Sequence, residues 1–115
     1  MQRDYRAFLE DIVTAIVKIE KYTEDKNFED FREDELVIDG VVRNLEIIGK
    51  AVKKLPNEIR TKHSDIEWNK IAGIRDILIH AYFIADVEIV WDIVRNKLPN
   101  LKDRVSRILQ NALGE

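Results

Sequence analysis

The sequence predicts an all-α protein, an up-down bundle of four to five helices forming one domain over residues 1–115. Three observations carry that expectation. Apolar residues recur at three- and four-residue spacing nearly throughout, the period of an amphipathic helix. No stretch alternates apolar with polar residues as a half-buried strand would. Hydrophobic residues make up 45% of the chain and charged residues 36%, against about 25% charged in an ordinary soluble domain. That balance suits charged outer faces over sequestered apolar stripes.

The first helix begins near Tyr5, with Phe8, Leu9, Ile12, Ile16 and Ile19 on one stripe and Val13 and Val17 widening it. From Glu24 to Asp34 the chain is polar except for Phe28 and Phe31, which reads as a loop or a short helical turn. A second long helix is expected from about Glu35 to Leu55, striped by Ile38, Val41, Leu45, Ile48, Val52 and Leu55. Gly40 and Gly49 lie inside it, each costing about 1 kcal/mol relative to alanine. Close approach of a neighbouring backbone would compensate, so tight helix–helix packing is expected there. Pro56 ends this helix or begins the next turn.

Ser64-Asp65-Ile66-Glu67 has the form of a capping box and announces a helix from Trp68 to Phe83. Asp86 suits the N-cap of a helix from Val87 to Lys97, whose core face is Val87, Val90, Trp91 and Val94. Pro99 is expected to interrupt the chain before a last helix from about Leu101 to Leu113.

Composition excludes several chemistries. With no cysteine, there is no disulfide, thiolate metal site or cysteine nucleophile. The two histidines, His63 and His80, stand 17 positions apart, so no metal site and no cofactor are expected. No apolar run approaches the roughly 20 residues that cross a bilayer, and Met-Gln-Arg-Asp-Tyr lacks a signal-peptide layout. A cytoplasmic protein without membrane contact is the expectation. The net charge of −3 argues against RNA storage or packaging, since non-specific RNA binders tend to be basic. A transient RNA substrate would need a local basic patch, such as one built by pairing two chains.

The segment Ile71-Ala-Gly-Ile-Arg75-Asp-Ile-Leu-Ile-His80-Ala-Tyr82-Phe83 sets four polar side chains in strongly apolar surroundings. A histidine can take or give a proton at neutral pH. An arginine, always charged, can stabilise negative charge developing on a phosphorane. RNA brings its own nucleophile in the 2′-hydroxyl, so this pair needs no metal, and the products would be a 2′,3′-cyclic phosphate and a free 5′-hydroxyl. Tyr82 could orient the phosphate or accept a modifying group. Positions 75 and 80 lie about 140° apart around a regular helix. Either the arginine curls round, the helix distorts near His80, or a second chain completes the pair. The plainer reading is a hydrogen-bonded core histidine, flanking charges at Arg75 and Asp76, and a core tyrosine with a wet hydroxyl.

Arg75, His80 and Tyr82 form the pattern R-x4-H-x-Y. This resembles the signature of HEPN-domain ribonucleases, specifically HepT-like toxins encoded beside a minimal nucleotidyltransferase antitoxin (the HepT/MntA type). Val42-Arg43-Asn44-Leu45-Glu46-Ile47-Ile48-Gly49-Lys50-Ala51 is similar to that family's second-helix motif, and Trp68 to Arg75 to its run into the active site. Val90-Trp91 and Leu98-Pro99 match its later landmarks. The resemblance implies a HEPN-like homodimer with both motifs near the interface, which would relieve the 140° separation. It further implies cleavage of RNA (tRNA or mRNA) without metal by Arg75 and His80, and Tyr82 as acceptor of AMP from the antitoxin. Lys50 stands where many relatives would carry an acid; it could contact Glu46 or add positive charge to an RNA-facing surface.

Arg43 and Glu46 could pair on the second helix, or Arg43 could line the groove near Arg75, with Glu46 and Asp76 as support. His63 reads as an exposed loop residue, and Trp68 and Trp91 as core. Two other functions remain open on sequence: a non-catalytic helical module that docks and regulates a nucleotidyltransferase, and a purely structural helical dimer.

Overall fold

Asp4 opens the first helix by accepting the backbone N–H of Arg6 at 2.9 Å, the usual role of an N-cap aspartate. Helix α1 then runs from Tyr5 to Thr23 and buries Leu9, Ile12, Ala15, Ile16 and Ile19. The computed structural model describes residues 4–81 and 87–113, without the side chains at 77, 79–81 and 113. Helix α3, Glu35–Lys54, buries Val41, Leu45, Ile48 and Val52. The buried Asn44 stays satisfied by donating to the Gly40 carbonyl at 2.8 Å.

Helix α3 is the centre of the bundle. Helix α1 packs along one flank of it, α7 (Leu98–Leu113) covers α1, and α5 (Trp68–Ala81) lies chiefly against α3 alone. The described residues are helical throughout their regular structure, and none of their helices is long and apolar enough to cross a membrane.

The polar stretch before α3 forms a short helix α2, Phe28–Arg32, closed by a reciprocal capping box between Asn27 and Asp30. Its Phe31 is fully buried. Asp34 caps α3 by accepting the Val37 N–H at 3.1 Å. That hydrogen bond first, and Lys26 beside it, hold the Asp34 carboxyl below its ordinary value. The stability from this cap is therefore present above the usual carboxylate pKa and is lost as pH falls through the lowered one. Asp34→Ala should melt at a lower temperature at neutral pH, and the gap to wild type should close in melts run down to about pH 2.

Three expectations are corrected. His63, expected as an exposed loop residue, is half-buried at the C-cap of a further short helix, α4, Asn57–Lys62. Ser64 does not cap α5, because residues 63–65 are a turn and the helix begins only at Trp68. The Trp68 indole instead donates to the His63 carbonyl at 3.0 Å. Nor does Pro99 break the chain. Helix α6, Val87–Asp92, continues through a π-helical turn, Ile93–Lys97, into α7, with Leu98 N–H bonded to the Ile93 carbonyl. Proline lacks an N–H and its ring crowds the carbonyl four residues back. A wider turn immediately before it removes both conflicts without ending the helix. The proposed cap Asp86, and Phe83 at the expected end of α5, lie outside the described residues.

Candidate active site

Glycine at 49 sets the geometry. A Cβ built there would stand 3.5 Å from the Ala72 carbonyl oxygen, 3.6 Å from that of Ile71 and 3.7 Å from the Cβ of Arg75. The α5 backbone therefore rests on α3 at this point, and the base of Arg75 rests with it. The expected approach of a neighbouring backbone occurs at Gly49 but not at Gly40, which instead seats a side chain, the Tyr22 ring at 3.2 Å. Gly49→Ala makes only ordinary contacts and should stabilise by up to about 1 kcal/mol through helix propensity. Gly49→Leu should wedge α5 off α3 at a cost of about 1–3 kcal/mol. Chemical melts of the two variants should move in opposite directions.

Arg75 is exposed and has no hydrogen bond or ion pair among the described residues. It sits at the edge of the α5 face that buries Ile74 and Leu78. The opposite face carries the exposed Asn69 and Asp76. A Cβ on Gly73, also on that face, would meet nothing within 4 Å. Position 80 is seven residues from Gly73 and four from Asp76, so it shares their face in the helical register.

Helix α5 is unbroken from Trp68 to Ala81, so helix distortion within that span is not what brings positions 75 and 80 together. A curled arginine or a second chain remains. The His80 side chain and all of Tyr82 lie outside the described residues.

On α3, Arg43 is exposed and Glu46 half-buried. No Arg43–Glu46 or Glu46–Lys50 ion pair forms among the described residues. Glu46 stands about 60° round α3 from Gly49, bordering α5, and Arg43 about 120° away, on the solvent side. His63 is half-buried, and no three His, Asp or Glu among the described residues are grouped to hold a metal ion. Trp68 is core at 5% exposed. Trp91 is partly buried, its ring against Phe31 at 4.9 Å.

A family model described as "Ribonuclease HepT-like" matches residues 12–108. The chain is 43% identical over 108 residues to a protein of Thermococcus cleftensis named "Probable ribonuclease HepT", covering 94% of this chain and 98% of that one. It is 41% identical over 114 residues to a "Putative RNase" of Methanocaldococcus jannaschii, covering 99% and 94%. In the same organism it is 40% identical over 110 residues to a "Gamma-glutamylcyclotransferase and putative RNase", where it spans 96% of its own length but half of the relative's. No solved structure matches the chain.

Proposed function

The chain belongs to the HepT-like ribonuclease family, and from that premise we propose that it is a metal-independent RNA endonuclease, the toxin of a toxin–antitoxin pair acting in the cytoplasm. The observation that carries this reading is the exposed Arg75, held on Gly49 and without an ion pair or hydrogen bond among the described residues, beside an α5 face that those residues leave uncovered at Gly73. A guanidinium with no partner among the described residues is available to a phosphate.

In the reaction, the 2′-hydroxyl oxygen attacks the adjacent phosphorus and the bond to the 5′-oxygen breaks. A 2′,3′-cyclic phosphate remains on one fragment, and the 5′-oxygen leaves as a hydroxyl after gaining a proton. The 2′-hydroxyl gives up its proton as it attacks, His80 is the group that transfers protons in this exchange, and Arg75 neutralises charge gathering on the non-bridging oxygens. A homodimer packed across the Gly73 and Asp76 face would bring Arg75 of one chain near position 80 of the other. Gly73 suits such packing, since a residue without Cβ lets another backbone approach closely.

Control acts at Tyr82. The phenol oxygen attacks the α-phosphorus of ATP on a nucleotidyltransferase antitoxin, pyrophosphate leaves, and tyrosine carries AMP. The added phosphate places negative charge and bulk two residues from His80, where the RNA phosphate must lie.

Cleavage of total tRNA in EDTA by protein expressed without its partner tests the reading. Wild type should cut and leave cyclic phosphate ends, and His80→Ala should not. If neither cuts, and intact mass shows Tyr82 unmodified, the catalytic reading fails.

A further inference from the structure

An acidic chain that handles RNA must concentrate its positive charge, and α3 does so beside Arg75. From Ile47 to Asn57 the sequence has no acidic residue and three lysines, Lys50, Lys53 and Lys54. Lys53 follows Gly49 by four residues, so it lies one turn, about 6 Å, along α3 from the point where Arg75 rests. Lys50 follows Gly49 directly and so stands about 100° round α3, further toward solvent and some 60° from Lys53. Both lysines are exposed and neither has an ion pair among the described residues. Of the other cations, Lys70, Lys102, Arg104 and Arg107 each face a carboxylate, while Lys18, Lys21, Lys62 and Lys97 are exposed without an ion pair among the described residues but lie off α3. Lys54 belongs to a different contact, its ammonium 6.0 Å from the Phe8 ring on α1. Glu46 and Asp76 bound the patch but pair with none of it.

We propose that Lys50 and Lys53 extend Arg75 into a strip that tracks the RNA backbone, holding phosphates next to the one that is cut. This rests on the ribonuclease reading above. A basic pair in the last turn of a helix can serve only to offset the helix dipole, which accounts for Lys53 and Lys54. It does not account for Lys50, which lies before that turn. The strip takes single-stranded RNA by charge, without reading bases, so it sets affinity and salt dependence rather than sequence preference. It also supplies, within one chain, part of the local basic surface that the net charge demands.

The test uses the full chain carrying His80→Ala, so that binding is read apart from cutting. Fluorescence anisotropy with a labelled single-stranded RNA is measured over a series of salt concentrations. Adding Lys50→Gln and Lys53→Gln together should flatten the slope of log affinity against log salt by about 1.4, two contacts at about 0.7 each. Lys50→Arg with Lys53→Arg should keep the slope, and Lys18→Gln, exposed on α1, should leave it alone. An unchanged slope in the glutamine pair, with melts showing the fold intact, overturns the strip while leaving the nuclease reading to the tRNA assay. A flattened slope in a protein whose wild type does not cut supports the strip and sinks the nuclease reading.

Discussion

Arg75→Ala is expected to slow RNA cleavage by about 10²–10³-fold, the effect of deleting one preorganised donor to a developing oxyanion. The fold should not notice, because the guanidinium is exposed and holds no other described part of the protein. Arg75→Lys should recover only part of the rate, since an ammonium keeps the charge but lacks the planar fork that grips two phosphate oxygens. Rates are to be taken on tRNA in EDTA, with melting temperatures of each variant alongside. A loss below tenfold in Arg75→Ala would remove this residue from the reaction.

The same variant decides how positions 75 and 80 meet. If each site takes Arg75 from one chain and His80 from the other, mixing Arg75→Ala with His80→Ala protein creates heterodimers with one intact site. Random re-pairing of a two-fold dimer would then restore about a quarter of wild-type activity. If both residues come from one chain, the mixture stays dead.

Phe31→Ala should cost about 3–5 kcal/mol, the range for emptying a buried aromatic site. The Phe31 ring is wholly inaccessible and lies 4.9 Å from the Trp91 ring. Trp91 in turn carries the Arg95 guanidinium 4.3 Å from its ring, and Arg95 donates to the carbonyls of Thr23 and Lys26. One side chain thus anchors α2, fastens the α1–α2 turn and seats the π-helical turn. With total stability of order 5–15 kcal/mol, the loss is a large share, and denaturant melts should show it plainly. A change under about 1 kcal/mol would mean the cluster repacks around the gap.

Phe31 also shows where sequence reasoning stops. Two phenylalanines in a polar stretch have no period, so nothing in the text distinguishes a loop from a five-residue helix whose one buried ring is a keystone. The long helices were legible because α1 and α3 repeat their apolar residues over five turns, and the glycine at 49 announced a close approach. The expected partner, a neighbouring backbone, is right at one glycine and not at the other. Only the fold reveals that backbone carbonyls meet Gly49 while a tyrosine ring meets Gly40. Pro99 misled because a proline normally stops a helix, whereas here a π turn absorbs it; the four-residue spacing of Val90, Val94 and Leu98, all buried, is the trace that turn leaves. The motif around Arg75 was visible as chemistry, but how positions 75 and 80 meet across 140° of helix is a matter of side-chain path or pairing of chains, and neither is written in helical spacing.

Helix α5 leans chiefly on α3, whereas α1 is held between α3 and α7. Amide hydrogen exchange should therefore be graded across the molecule, with the α5 amides opening at a free energy below that of global unfolding and those of α1 and α3 near it. The helix carrying Arg75 is then less protected than α1 and α3 in an isolated chain. Whatever docks on its open face, another copy or RNA, would slow exchange there before it changed anything in the core.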